Sequence, residues 1–140
     1  MTYQAPSWVQ QSLALYDDGI IYYSAPKGSY RKQFRKLERK LGIDFERVKD
    51  DWDAEIVCTY KDLSYNAGQA QHFFGKFYLY TDPQYKGHHV EAHEIGHALG
   101  LAHIDHDKSV MDIHNGWSLG TNYLTKFDRQ NISDLFFGSV

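Results

Sequence analysis

The chain has 140 residues, 42% apolar and 16% aromatic, which suits one compact domain with a real core. Its net charge of −3 gives no general case for nucleic-acid binding. No apolar run approaches the ~20 residues of a membrane span, and the N-terminus lacks a signal-peptide core. The expectation is a soluble monomer with neither nucleic acid nor membrane as partner. It either lacks classical export or has already been processed, and in the second case is extracellular.

In chain order, Trp8 to Leu15 reads as irregular or weakly helical, and Asp17-Asp18-Gly19 as a turn. Ile20 to Tyr23 is a short β-favouring run, ended by Ser24-Ala25-Pro26. Ser29 is the expected N-cap of a helix in which Tyr30, Phe34, Leu37 and Leu41 recur at helical spacing, with Gly42 closing it. Arg31, Lys32, Arg35, Lys36, Arg39 and Lys40 occupy the other face, and such a row is more often a solvated face than an anion site. Acidic residues between Asp44 and Glu55 answer that charge.

Ile56 to Tyr60 reads as a second strand, with Cys58 inside it as a small buried hydrophobe rather than a thiolate that blocks a metal. As the only cysteine, it excludes an intrachain disulfide. Leu63 to Gln71 is polar and reads as a loop. Phe73 to Tyr80 is the strongest strand signal, stopped by Asp82-Pro83.

Residues 93–103 carry the chemistry. If His93 to Leu99 is helical, His93 and His97 lie one turn apart on one face and their imidazoles can converge on one cation. Glu94 lies off that axis, where it can hold a water and act as general base. Gly100 takes the left-handed conformation that ends the helix. The chain can then return His103 as a third nitrogen, leaving a fourth position open as catalytic zinc requires. His88 and His89 fall in a frayed first turn and are not counted as ligands; Glu91 there suits the positive end of the helix dipole.

The run His93-Glu94-x-x-His97-x-x-Gly100-x-x-His103 closely resembles the metzincin signature. Ser109-Val110-Met111 looks like the metzincin Met-turn, an apolar floor under the imidazoles, and its distance from His103 resembles the matrixin branch. The resemblance implies an α+β zincin domain: a twisted mixed sheet on an N-terminal helix and the active-site helix, then the Met-turn and a C-terminal helix. Its upper part would span about residues 1–100 and its lower part about 101–140. Phe77 to Tyr80 would form the cleft rim that pairs with extended substrate, with Phe77 and Leu79 as contacts. Asp112 to Tyr123 would wall the pocket for the residue after the cleaved bond, lined by Ile113, Trp117, Leu119 and Tyr123.

His106 and His114 read as solvated. Thr125 is the expected N-cap of the last helix, with Asp128 as its capping acid and Ile132, Leu135 and Phe136 as its apolar stripe. Matrixins carry two adjacent acids at the start of that helix; Asp128 matches the second, while Phe127 replaces the first. The chain has no glycine-rich calcium loop and no second His/Asp set with structural-zinc spacing, so one catalytic zinc ion and no calcium are expected.

The function this implies is a zinc-dependent endopeptidase, acting on a polypeptide through a zinc-activated water with Glu94 as general base. Two alternatives stay open: a zinc-binding module without turnover, and a zinc hydrolase acting on a non-peptide amide.

Overall fold

In the computed structural model, residues 19–114 and 116–137 are described; the expectations for Trp8 to Leu15 and for Asp17 and Asp18 lie outside them. Ile20 to Ser24 forms β1, and burial alternates along its start, with Ile21 and Tyr23 inward. Helix α1 runs from Ser29 to Leu41. Its Tyr30, Phe34 and Leu37 are buried, and the Phe34 ring stacks on Tyr23 at 4.1 Å. The N-cap is Gly28, not Ser29 as expected. Ser29 is the first helical residue, and its hydroxyl instead accepts a hydrogen bond from Asn122 Nδ2 at 2.6 Å. Gly42 ends the helix at φ 72°, as its freedom from a Cβ allows.

Strands β2 (Asp44–Arg47), β3 (Ile56–Tyr60), β4 (Gly68–Phe73) and β5 (Lys76–Thr81) join β1 in one five-stranded sheet of order β2-β1-β3-β5-β4. All neighbours are parallel except β4 and β5. Helix α2 (Val90–Ala98) packs on β4 and β5, while α1 touches both α2 and α3 (Lys126–Phe137). This is an α+β fold with a mixed sheet. Among the described residues, no helix is long and apolar enough to cross a membrane.

Three sequence expectations change here. Asp44–Arg47 is a strand that its polar residues conceal, since only Phe45 is buried and pairing to β1 supplies the rest. The apolar run from Phe73 to Tyr80 is not one strand. It is broken at Phe74 (φ 50°) and Gly75 (φ 77°), the two positive-φ residues of a hairpin between Phe73 and Lys76. Nor does Phe77 to Tyr80, the expected cleft rim, have a free edge. Strand β5 is flanked by β3 and β4, so its backbone is paired on both sides; among the described residues the sheet ends at β4, part of which reads as a loop from sequence. A polar edge strand has no buried face to impose alternation, so its pairing is invisible in composition.

Candidate metal centre

Helix α2 ends in a double hydrogen-bonded turn. Leu101 N–H donates to Gly96 O at 2.9 Å and Gly100 N–H to His97 O at 3.1 Å, with Gly100 at φ 106°. This is the Schellman arrangement, and its positive φ is the reason for glycine. The turn brings His103 back so that its ring centroid lies 5.1 Å from His93 and 5.0 Å from His97. Ligand atoms of the three histidines all fall within 4.8 Å of one another.

The donor set fits a small cation. His93 Nε2 and His97 Nε2 stand 3.2 Å apart. Two nitrogens at ~2.0–2.1 Å on a tetrahedral zinc would be separated by about 3.3 Å. Both Nδ1 atoms are engaged elsewhere at 2.8 Å, His93 with Val110 O and His97 with Leu101 O. A carbonyl only accepts, so each Nδ1 carries the proton and each Nε2 presents a lone pair. Burial, and secondarily the His97 neighbour, pushes His93 down to about 3. Burial likewise lowers His97 to about 4. Both rings are therefore neutral at pH 7, the form that binds metal.

Glu94 is 4% exposed, and burial pushes its carboxyl up to about 8. Strand β4 passes so close above it that a Cβ at Gly68 would stand 2.7 Å from Glu94 Oε2 and 2.6 Å from Val90 Cγ1. Glycine is thus required there for the strand to lie on the carboxyl. A cavity of about 340 Å³ between β4 and the three histidines is lined also by Glu94 and Phe77.

Beneath the helix, Met111 is fully buried. A Cβ on Gly96 would sit 2.5 Å from its Sδ, so the helix is bare where the Met-turn docks. Asp128, also fully buried, holds that turn from α3. It accepts from Ser109 Oγ at 2.5 Å and from Val110 N–H at 3.0 Å, while Thr125 Oγ1 donates to it at 2.9 Å. Asp128 N–H returns a bond to Thr125 Oγ1, completing the expected capping box. One acid thus makes the helix-to-turn link although Phe127 replaces the other; Phe127 stacks on His106 at 3.8 Å, so His106 is not simply solvated.

The remaining candidates separate. Ile113 and Trp117, both about half exposed, line a cavity of about 180 Å³ with His93 and Glu94. Leu79 is fully buried in the core and Leu119 packs against it. Tyr123 lies under Lys36 Nζ, 3.9 Å from its ring, which turns it toward α1 rather than the pocket. Sequence reasoning missed Gly68 and Asn122, which carried no signal, and misplaced His89. That ring is not frayed: it is 8% exposed and stands edge-on to Trp117. Glu91 is fully buried, accepting from Tyr60 OH at 2.5 Å and from Gly87 N–H at 2.9 Å.

The metal-free protein should be most stable near pH 6.5. Below its ordinary value of 6.5, each histidine takes a proton in the unfolded chain that the folded chain refuses until about 3 for His93 and about 4 for His97. Acidification therefore destabilises. Glu94 acts oppositely: unfolded it ionises near 4.5, folded only near about 8, so stability falls as pH rises between them. His93 and His97, joined by His89, which burial also lowers, outweigh one carboxyl below pH 6.5, and the carboxyl dominates above it. Urea midpoints of chelator-treated protein across this range would show the peak; a steady rise through pH 8 would contradict it.

Residues 76–137 match the model of the Matrixin peptidase family, a stretch that runs from β5 through the three histidines and the Met-turn to the end of α3.

Proposed function

We propose that this chain, which carries a matrixin-like catalytic domain, is a zinc-dependent endopeptidase, with residues 1–140 acting as one domain. The observation that carries the reading is the pair of Nε2 atoms 3.2 Å apart, their Nδ1 protons tied to carbonyls, beside a buried carboxyl in the same cavity. His93, His97 and His103 would hold the ion, and Glu94 is the general base. Bound zinc would supply a Lewis acid for the scissile carbonyl and lower the pKa of water toward ~7.

Glu94 takes the proton of the attacking water and passes it to the leaving amine. Its place in the cavity of the three histidines suits it to both halves of that task, because a carboxylate accepts the water's proton and, once protonated, can return it. Asp128 positions His93 indirectly, by fixing the Val110 peptide whose carbonyl receives the imidazole proton. Among the described residues no strand pairs with the outer edge of β4, which can offer its backbone groups to an extended polypeptide. That edge favours a peptide over a small non-peptide amide as substrate, and a water-excluded carboxyl favours turnover over mere zinc binding.

The test combines zinc analysis with cleavage of an unstructured protein. The expected result is one zinc per chain and cleavage abolished by a chelator. Zinc without cleavage of any polypeptide would favour the binding module, and no zinc would sink the proposal.

A further inference from the structure

We infer that the cavity behind His89 and Trp117 receives the side chain of the substrate residue following the cleaved bond, and that it selects a carboxamide, glutamine above all. This inference rests on the endopeptidase reading. Two cavities meet at these rings. The outer one, about 180 Å³, includes Glu94, His93 and Ile113 in its wall, so it adjoins the reacting bond. The inner one, about 160 Å³, lies between Gly87 to His89 and the segment from Gly116 to Asn122. His89 and Trp117 belong to both, with ring centroids 4.4 Å apart at 77°. A side chain entering past Glu94 meets this pair and then the inner cavity.

The inner wall is not the apolar lining expected from the sequence. Beyond the Trp117 indole it offers His88, His89, Thr121, Asn122 and three glycines, with no aliphatic side chain. Two of the residues in that wall each hold a buried polar atom without a hydrogen-bond partner, His89 Nδ1 and Asn122 Oδ1. Orphaned buried polar groups are uncommon, and at a cavity they are best completed by a ligand. The orientation of Asn122 is chemically determined. Its Nδ2 donates to Ser29 Oγ at 2.6 Å and to Glu91 Oε1 at 3.3 Å, and a carboxylate only accepts, so Oδ1 remains a pure acceptor. Gly116 is shaped to the site as well: a Cβ there would stand 2.9 Å from His89 Cδ2, so only glycine lets this segment close on the ring.

A carboxamide carries both complements, an NH₂ for Asn122 Oδ1 and a carbonyl for an Nδ1–H of His89. An aliphatic side chain leaves both atoms orphaned. A carboxylate presents only acceptors to Asn122 Oδ1. An ammonium would lose its hydration there, since the Glu91 carboxylate behind the wall is already engaged by Asn122, Gly87 and Tyr60. The volume exceeds that of one water several-fold and takes the end of a glutamine.

The experiment uses the zinc-loaded full chain and peptides identical except for Gln, Leu, Glu or Lys after the cleaved bond, with cut sites located by mass spectrometry. Glutamine should exceed leucine in kcat/KM by on the order of 10–100-fold. His89→Leu should abolish or invert that ratio, while His89→Asn, which keeps a polar atom near Nδ1, should retain it in part. Cleavage with Leu, Glu or Lys equal to or above Gln in the wild type would overturn the inference and leave the endopeptidase reading intact. An unaltered ratio in folded His89→Leu would overturn the role of His89. Should no peptide be cut, equal affinity of Gln and Leu peptides for Glu94→Ala protein would overturn the inference together with the proposed activity. The wild-type series decides the preference even if a variant fails to fold.

Discussion

Glu94→Ala is expected to lower kcat/KM by on the order of 10²–10⁴-fold, the usual contribution of a positioned general base, with zinc content unchanged. The two halves of this result have separate causes. Metal retention follows because the converging nitrogens belong to His93, His97 and His103, and Glu94 is not among them. Loss of turnover follows because Glu94 is the acid within the cavity that the three histidines line. The same substitution should make the metal-free protein more stable above pH 8, where the folded chain otherwise carries a buried ionised carboxyl that burial disfavours. Zinc analysis, turnover and a urea titration at pH 8.5 on one preparation would read all three effects. Wild-type proteolysis by the variant would remove Glu94 from the mechanism.

Asp128→Ala should be the most destabilising of these substitutions, by on the order of 3–5 kcal/mol. The alanine would leave the hydroxyl protons of Ser109 and Thr125 and the N–H groups of Val110 and Thr125 without their acceptor, in a region where Asp128 itself is fully buried. Each buried donor left without an acceptor costs about 1–3 kcal/mol. The damage should also reach the metal. With the Val110 peptide released, its carbonyl no longer fixes the proton on His93 Nδ1, and such outer partners typically contribute about 10–100-fold to metal affinity. Asp128→Asn retains one acceptor and should lose less of both. Urea unfolding together with zinc competition would measure the pair of effects. A loss under about 1 kcal/mol would show that water replaces the carboxylate, and that α3 does not hold the turn.

The convergence of the three histidines was legible from sequence because its geometry is local. His93 and His97 are spaced by one helical turn, and Gly100 occupies the position at which a helix must reverse, so backbone geometry alone brings His103 back. The capping pair Thr125 and Asp128 was legible for the same reason, three residues apart at a helix start. Apolar periodicity also located α1, whose inward residues repeat at the helical period, while short β-favouring runs located β1 and β3. All of these depend on contacts within a few residues.

What only the tertiary structure decided depends on partners distant in the chain. Strand β4 is polar and exists because β5 pairs with it, which places β5, including Phe77 to Tyr80, inside the sheet and Gly68 to Phe73 outside it. Gly68 has meaning only because Glu94, far along the chain, lies beneath it. Likewise His89 reads as a solvated helix end until Gly116 and Trp117 close over it, and Asn122 as a loop residue until Ser29 and Glu91 engage its amide. A histidine or asparagine has no period and no neighbour rule that reveals burial; its role is set by which distant surface packs against it. The sequence therefore determined which nitrogens converge, and the packing of the 116–122 segment decided what walls the cavities beside them.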